Sequence, residues 1–221
     1  KKYNNLKKKE LKEHLQLMVE LKQNILKTEV QNKKLNLSIQ NSIIQYIKFR
    51  LDFNQENRDK AMSENISQTL NTTENNSKIF VWTHNFHVKK NKITYTNDFS
   101  MGHFLKEKYG KKYYSIGFDF ATGNFYAVNS KKNNIEKYTI DKPMKNTSSE
   151  LFSKSKLSIF FLDFNSISKN KLMSEFLNTK VKYRGIGSTY SPKMVEKEKL
   201  MNAYDGIIFV NKTNESTYLR K

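Results

Sequence analysis

The sequence contains no cysteine, and it has only two prolines and seven glycines among 221 residues. The lack of cysteine excludes disulfides, thiolate nucleophiles and cysteine-based zinc sites. No apolar run reaches the length of about 18 residues that a membrane-spanning helix needs. The basic, polar N-terminus also lacks the apolar centre of a signal peptide. Together these absences favour a cytoplasmic protein.

Arginine is scarce although the chain is strongly basic. The formal net charge is +19, from 40 Lys+Arg against 21 Asp+Glu. Such an excess could attract nucleic acid or an anionic membrane surface. The bidentate contacts of base and phosphate recognition favour arginine, however, and the lysines are spread through every segment. We therefore expect neither nucleic acid nor membrane as a partner. A basic module that binds anionic polymers is the alternative, and it would bind in a strongly salt-dependent way. The arginines are Arg50, Arg58, Arg184 and Arg220.

The first half of the sequence predicts helices. No glycine or proline precedes Gly102, so this region lacks strong helix breakers. Apolar residues recur at helical spacing over 5–53, and the polar stretch at 31–34 interrupts them. We therefore expect a helical hairpin as the first domain, residues 1–55. A third helix is predicted at 58–70, with Met62, Ile66 and Leu70 as its core stripe.

The second half alternates between strand and helix patterns, which predicts an α/β domain over residues 56–221. The run from Lys78 to Asn85 is almost continuously apolar and predicts a strand buried on both faces. A helix is expected to begin at Ser191, with Pro192 at its first position. The other expected elements are strands at 113–120, 157–164 and 205–213, a turn at 121–124, and short helices between them.

Two of the four histidines follow the first of these strands. His84, Asn85 and His87 stand at its carboxyl end, where α/β sheets gather their ligands. A neutral imidazole can take a proton from water and return one to a leaving alcohol, and Asn85 could donate to an oxyanion. The structural alternative is that the histidines only form capping hydrogen bonds. Two histidines without a third carboxylate ligand are weak evidence for zinc, so we expect no metal or other cofactor.

A second cluster lies on the predicted helix at 58–70. It consists of Arg58, Asp59, Glu64 and Asn65, with Arg58 and Asn65 seven residues apart and therefore pointing the same way. A guanidinium can hold a carboxylate or polarise a carbonyl, and Glu64 could act as a base or orient a histidine. The alternative is an ordinary amphipathic helix with solvated charges.

Five motifs, taken in order, make the sequence resemble the erythromycin esterase family. Arg58-Asp59 with Met62 to Ile66 is similar to the family's R-D-x-x-M-A-E-N segment, and Ile79 to Val88 to its W-A-H-N-x-H-V segment. Three further matches are Met101-Gly102 with Leu105 and Gly110, Tyr114 to Phe118 with Phe120 and Gly123, and Arg184 to Gly187 with Asp205 to Phe209.

The resemblance implies a bacterial hydrolase with a three-layer, mostly parallel α/β sheet beside the helical hairpin. The family contains enzymes that open the lactone ester of macrolide antibiotics with a histidine-activated water, and also many members whose substrate is unsettled. The resemblance therefore implies a small-molecule ester as substrate and a part in the response to antibiotics. Carried over by position, it places three residues in the catalytic site, His84, His87 and Glu64, and three in substrate binding, Arg58, Asn65 and Asn85.

Two departures qualify this interpretation. Family members also carry a G-E-x-x-H-G segment, whose histidine is taken as the general base, and this sequence contains none. Phe86 replaces a small residue between the asparagine and the second histidine. We therefore expect the C-terminal part of an esterase-like protein. An inactive relative that only binds its ligand is the alternative, and no feature fixes the substrate or the oligomeric state.

Overall fold

The computed structural model describes residues 6–74, 76–93, 96–129, 131–192 and 195–217. The chain divides into two compact units, Lys1–Trp82 and Thr83–Lys221. Among the described residues, none of the helices is long and apolar enough to cross a membrane.

The first unit is helical. The first two helices pack against each other as the hairpin that the sequence predicts. The link between them ends at Asn32, which has a left-handed backbone with φ 55°. Asn54 starts the third helix, because its side chain accepts a hydrogen bond from the backbone N–H of Asn57 at 2.8 Å. The helices are α1 (Lys8–Lys27), α2 (Lys33–Leu51) and α3 (Gln55–Thr72).

The core stripe that we predicted for α3 is wrong. Its buried side chains are Asp59, Ser63 and Ser67, whereas Met62, Ile66 and Leu70 are only half-buried. Burial of Asp59 is tolerated because Gln55 Nε2 donates to its Oδ1 at 2.8 Å and the Arg58 guanidinium lies 3.8 Å away.

The second unit combines strands with short helices. Its helices are α4 (Asn85–Val88), α5 (Met101–Tyr109), α6 (Ser148–Phe152), α7 (Phe164–Ile167), α8 (Lys171–Asn178) and α9 (Leu200–Ala203). Its strands are β1 (Ile116–Asn129), β2 (Asn134–Ile140), β3 (Ile159–Asp163), β4 (Lys180–Arg184), β5 (Val195–Lys199) and β6 (Gly206–Thr213).

Four of the strands form one sheet in the order β2-β1-β6-β3, and β4 pairs with β5 separately. β1 and β6 are parallel, while β2 and β3 run antiparallel to their neighbours, as does β4 to β5. The α/β class is therefore confirmed, and the described sheet is mixed. β2 follows β1 after a short turn, and such a short connection permits only antiparallel pairing.

The turn that we predicted at 121–124 is wrong, because β1 runs straight through it. Gly123 pairs with Thr213 of β6 on one side and with Ile140 of β2 on the other. A Cβ at this glycine would lie 2.1 Å from the Thr213 carbonyl oxygen. Gly123 is thus required by the close approach of β6, where β1 exchanges a parallel partner for an antiparallel one.

The two faces of the sheet differ in how far they are buried. One face carries the core, in which Ile207 and Phe209 of β6 pack with residues of α6, α8 and α9. On the other face, Phe118, Ile208 and Phe161 stand opposite one another on adjacent strands. Phe118, Phe161 and Ile159 are 39%, 50% and 62% exposed, so this face is an apolar surface in contact with water.

Two further predicted elements are wrong. Residues 78–84 form no strand, and Phe80 and Trp82 are 80% and 74% exposed. No strand in the described part of the chain pairs with this segment, and an extended segment needs a neighbour for its backbone hydrogen bonds. Residues 195–199 form β5 and not a helix, because alternation buries Glu196 and Glu198 on one side of the strand.

Candidate functional site

His84 and His87 lie on one short turn of the second unit. His84 precedes α4 and caps it, since its Nδ1 accepts a hydrogen bond from the backbone N–H of Phe86 at 3.2 Å. Its Nε2 bonds to the carbonyl oxygen of Ile186. A carbonyl oxygen can only accept, so the ring must carry its proton on Nε2. His84 therefore forms the capping hydrogen bond that the structural alternative expected. Its ring is neutral and donates through Nε2.

The surroundings of His84 keep this ring neutral. Burial lowers its pKa below the ordinary value of 6.5, and the nearby charge of His87 acts in the same direction. The hydrogen bond to Ile186 and the negative charge of Glu196 oppose this decrease. A protonated ring would also place a second N–H against the N–H of Phe86. Protonation therefore costs α4 its cap.

Asn85 fixes the same turn to the edge of the sheet. Its Nδ2 donates to the Phe118 carbonyl at 2.6 Å, and the Phe118 N–H donates to its Oδ1 at 2.9 Å. The side-chain amide thus pairs with β1 as the backbone of a neighbouring strand would. Asn85 therefore uses both its donor and its acceptor within the fold.

Helix α5 braces the turn from the other end. Ser100, the cap of α5, donates through its hydroxyl to the carbonyl of Lys89, the residue that follows α4. A Cβ at Gly102 would lie 2.4 Å from the carbonyl oxygens of Val88 and Lys89. Only glycine permits this approach, which gives a physical reason for the glycine in the Met101-Gly102 motif.

The end of β4 and the segment after it also contact this site. Arg184 donates from its guanidinium to the carbonyl oxygens of Phe120 and Ala121, and Ile186 supplies the acceptor for His84.

Asp119 of β1 has a raised pKa. Burial raises the pKa of its carboxyl to about 6, although the hydrogen bonds from Ser148 and Phe120 and the charge of Arg184 act to lower it. Sequence reasoning missed Asp119, although a carboxylate within an apolar strand was the available signal.

The other predicted residues lie in the first unit. Arg58, Glu64 and Asn65 all line one open cleft of about 720 Å³ between α2 and α3. Apolar and aromatic side chains, among them Tyr46 and Phe49, share its walls. The cleft has the volume and mixed lining of a small-molecule site. The structure thus groups the six predicted residues into a cleft in one unit and a histidine turn in the other. Within the described ranges, no three His, Asp or Glu side chains are grouped to hold a metal ion.

The mixed sheet and its flanking helices define an α/β protein. The model of the Erythromycin esterase family matches residues 2–213 of the chain. The chain therefore belongs to the Erythromycin esterase family, as its motifs predicted.

Known proteins resemble the chain at low identity. YbfO of Bacillus subtilis, provisionally named a hydrolase, is 26% identical over 182 residues, which are 76% of this chain and 37% of YbfO. A solved Bacillus cereus protein has a TM-score of 0.80 at 23% identity and is matched over 95% of this chain and 54% of its own. A solved succinoglycan biosynthesis protein has a TM-score of 0.81 at 18% identity, over 96% and 52%. A mutant of the erythromycin esterase EreC in its open conformation has a TM-score of 0.62 at 14% identity, over 100% and 57%.

The solved structures are too distant in sequence to show more than the shared fold. The chain spans a little over half the length of the solved relatives and about a third of YbfO.

Proposed function

We propose that this chain forms part of a hydrolase that opens an ester bond with a histidine-activated water. The observation that carries the proposal is the state of His84, a neutral ring whose Nε2–H is directed at a carbonyl oxygen. An ester carbonyl is an acceptor of the same kind. A substrate oxygen that replaces the Ile186 carbonyl would receive the same hydrogen bond, and the bond would strengthen as negative charge develops on that oxygen.

The proposed reaction needs a base, an oxyanion donor and an acid. A neutral histidine outside residues 1–221, in the family's G-E-x-x-H-G segment, takes a proton from water while the water oxygen bonds to the ester carbon. The electron pair of the carbonyl moves to its oxygen, where His84 donates. When the pair returns, the ester C–O bond breaks, and the departing alkoxide takes the proton from the imidazolium. In this proposal, His87 on the same turn contacts the leaving oxygen.

The cleft in the first unit supplies substrate binding in this proposal. Within this cleft, Arg58 holds a carboxylate or polarises a carbonyl, Glu64 acts as a second base, and Asn65 donates a directional hydrogen bond. The side chains of Tyr46 and Phe49 offer apolar contact to the body of the substrate. The substrate class is a small-molecule ester, with a macrolide lactone as the family's known example, so the protein would act in the response to antibiotics.

The test uses the native polypeptide purified from its source. It is incubated with a macrolide and with a panel of nitrophenyl esters, and mass spectrometry detects the gain of one water. We expect His84→Asn and His87→Gln to lower kcat by about 100-fold or more, the usual contribution of positioned proton donors. His14→Gln, on α1, is the matched control and should retain the parent rate. If both variants in the turn hydrolyse every ester at the parent rate, the assignment is wrong.

One observation favours a second candidate function, a ligand-binding protein without catalysis. Both ring nitrogens of His84 are occupied by hydrogen bonds within the fold. Saturable binding of a macrolide by calorimetry, with the ligand recovered unchanged after prolonged incubation, would support the binding protein over the hydrolase.

A further inference from the structure

A charged cluster is buried directly behind the histidine turn. Lys89 follows α4 and is 0% exposed. Its Nζ lies 2.6 Å from Glu198 Oε2, 3.1 Å from Glu196 Oε2 and 3.0 Å from the Tyr183 hydroxyl. The Tyr183 hydroxyl in turn donates to Glu196 at 2.6 Å. These four residues are called the Lys89 cluster below.

The charges in the cluster do not balance. Two carboxylates share one ammonium, and all three groups are buried. Burial raises the pKa of Glu198, and the charge of Glu196 adds to this increase. The charge of Lys89 acts to lower the pKa but does not cancel the increase. The second oxygen of Glu196, Oε1, accepts no hydrogen bond from the described residues. A buried ion group of this kind is a poor source of stability, since desolvation offsets most of its attraction.

The cluster connects the two chain segments that carry the His84 ring and its acceptor, the Ile186 carbonyl. On one side, Lys89 is the last residue of the turn, and its backbone N–H donates to the Asn85 carbonyl at 3.2 Å. On the other side, Tyr183 lies in β4, three residues before Ile186. The His84 ring is therefore linked through a short stretch of chain to Lys89, and the Ile186 carbonyl is linked in the same way to Tyr183. Lys89 and Tyr183 contact each other in the buried cluster.

The other side-chain bonds of the turn described above end on different elements. Asn85 bonds the turn to β1, and Ser100 bonds it to α5, but neither reaches β4. Among the contacts described, two side chains of this stretch reach the β4–β5 pair. Lys89 binds Glu196 and Glu198 of β5, and Asn91, two residues further on, donates from its Nδ2 to Glu198 Oε1.

We propose that the Lys89 cluster is a positioning unit, which holds the turn of His84 and His87 in register with β4 and so keeps the Nε2–H of His84 directed at an acceptor oxygen. Lys89, Glu196 and Glu198 touch no substrate in this role. They act through His84, and the use of that ring in ester hydrolysis rests on the function proposed above.

The charged groups around His84 allow this role to be measured without any substrate. They are His87, on the same turn, and Glu196, on β5. Loss of the cluster changes both the position of the ring and the field from Glu196, whereas loss of an unrelated ion pair changes neither. Lys90 provides that comparison, because it is the next residue and pairs with Asp205 at 2.7 Å, outside the cluster.

The experiment records the imidazole nitrogen signals of the ¹⁵N-labelled native polypeptide and the solvent exchange of the His84 Nε2–H. In the parent protein we expect a single tautomer with the proton on Nε2 and slow exchange. Lys89→Met should mix the tautomers and accelerate exchange by about tenfold or more, as expected when a local contact opens. Lys90→Met should leave both signals unchanged.

A second variant covers the case in which Lys89→Met fails to fold. Glu198→Gln keeps the shape of the side chain and leaves Lys89 paired with Glu196, and it should accelerate exchange by a smaller factor. Lys89→Arg, which keeps the cation, should restore part of the protection. If a folded Lys89→Met or Glu198→Gln loses stability while His84 keeps its tautomer and exchange rate, the cluster is only structural and the proposal is overturned. A failure to hydrolyse esters would not alter these signals, so the two proposals fail separately.

Discussion

The side chain of Asn85 pairs with both backbone groups of Phe118, 33 residues further along the chain, at 2.6 and 2.9 Å. One amide thus extends the hydrogen bonding of β1 beyond its strand partners. It also attaches the start of α4 to β1, so the position of both histidines depends on this asparagine.

Asn85→Asp should destabilise the second unit by about 1–3 kcal/mol, because a carboxylate cannot donate to the Phe118 carbonyl and its charge is partly buried. Urea unfolding followed by circular dichroism measures the change. Asn170→Asp is the control, since Asn170 caps α8 only by accepting from the Met173 N–H at 3.2 Å. A carboxylate accepts equally well. If both variants were equally stable, the hydrogen bond from Asn85 to the Phe118 carbonyl would not contribute to stability as predicted.

Gly102→Ala should cost about 1–3 kcal/mol, because the new methyl group would meet two backbone carbonyls that cannot move independently. The midpoint of urea unfolding should fall accordingly. The same substitution at Gly187 serves for comparison, where the nearest atoms to a Cβ are 3.8 Å away in the Phe86 ring. The midpoint of Gly187→Ala should therefore shift little. If Gly102→Ala were as stable as the parent, the close approach of the Val88 and Lys89 carbonyls to Gly102 would be refuted.

The parts of the fold that were predicted correctly are those whose pattern is local. The helical hairpin shows its apolar spacing within each helix, and β6 is a short apolar run at 206–213. The failures depend on partners elsewhere. Residues 78–84 have the apolar pattern of a strand but find no neighbour among the described residues. Residues 195–199 form a strand although they follow Ser191 and Pro192, a pair typical of a helix start. A buried lysine more than 100 residues away decides the second case.

Asp119 should make stability depend on pH. Its pKa is raised to about 6 in the folded protein, so between its ordinary value near 3.8 and about 6 the folded state binds the proton more tightly. The free energy of unfolding should therefore decrease as pH rises through this window. Asp119→Asn should remove the decrease and gain about 1–3 kcal/mol at pH 7.5. Thermal unfolding at several pH values tests this, with Asp141→Asn after β2 as a control that should retain the parent profile.

His84 should have the opposite effect. Its pKa is lowered, so the unfolded chain binds the proton more tightly below pH 6.5, and stability should fall as pH decreases from that value. His84→Asn keeps an acceptor for the Phe86 N–H but cannot titrate, so its loss on acidification should be smaller than that of the parent. His14→Asn should behave as the parent does. A variant with the full acid sensitivity of the parent would show that His84 does not cause it.

The candidate site could be predicted from the sequence only residue by residue. Motif matches pointed to Arg58, Glu64 and Asn65, and the structure places all three in one cleft. Nothing in the sequence showed that Ile186 would meet His84, since a backbone carbonyl has no residue signature and lies 102 positions away. Lys89 was hidden among surface lysines, because its burial follows from the two glutamates of β5.

The exposed apolar face of the sheet, with Phe118, Ile159 and Phe161, sets the colloidal behaviour of the isolated chain. Surfaces of this kind adhere to one another, but a net charge of +19 keeps molecules apart while the repulsion is long-ranged. Salt shortens that range to about 10 Å at 0.1 M. The chain should therefore disperse in dilute buffer and associate as salt is added. Added salt would also weaken any binding to an anionic polymer. A salt titration should therefore have two opposite effects, less binding to such a polymer and more association of the chain with itself.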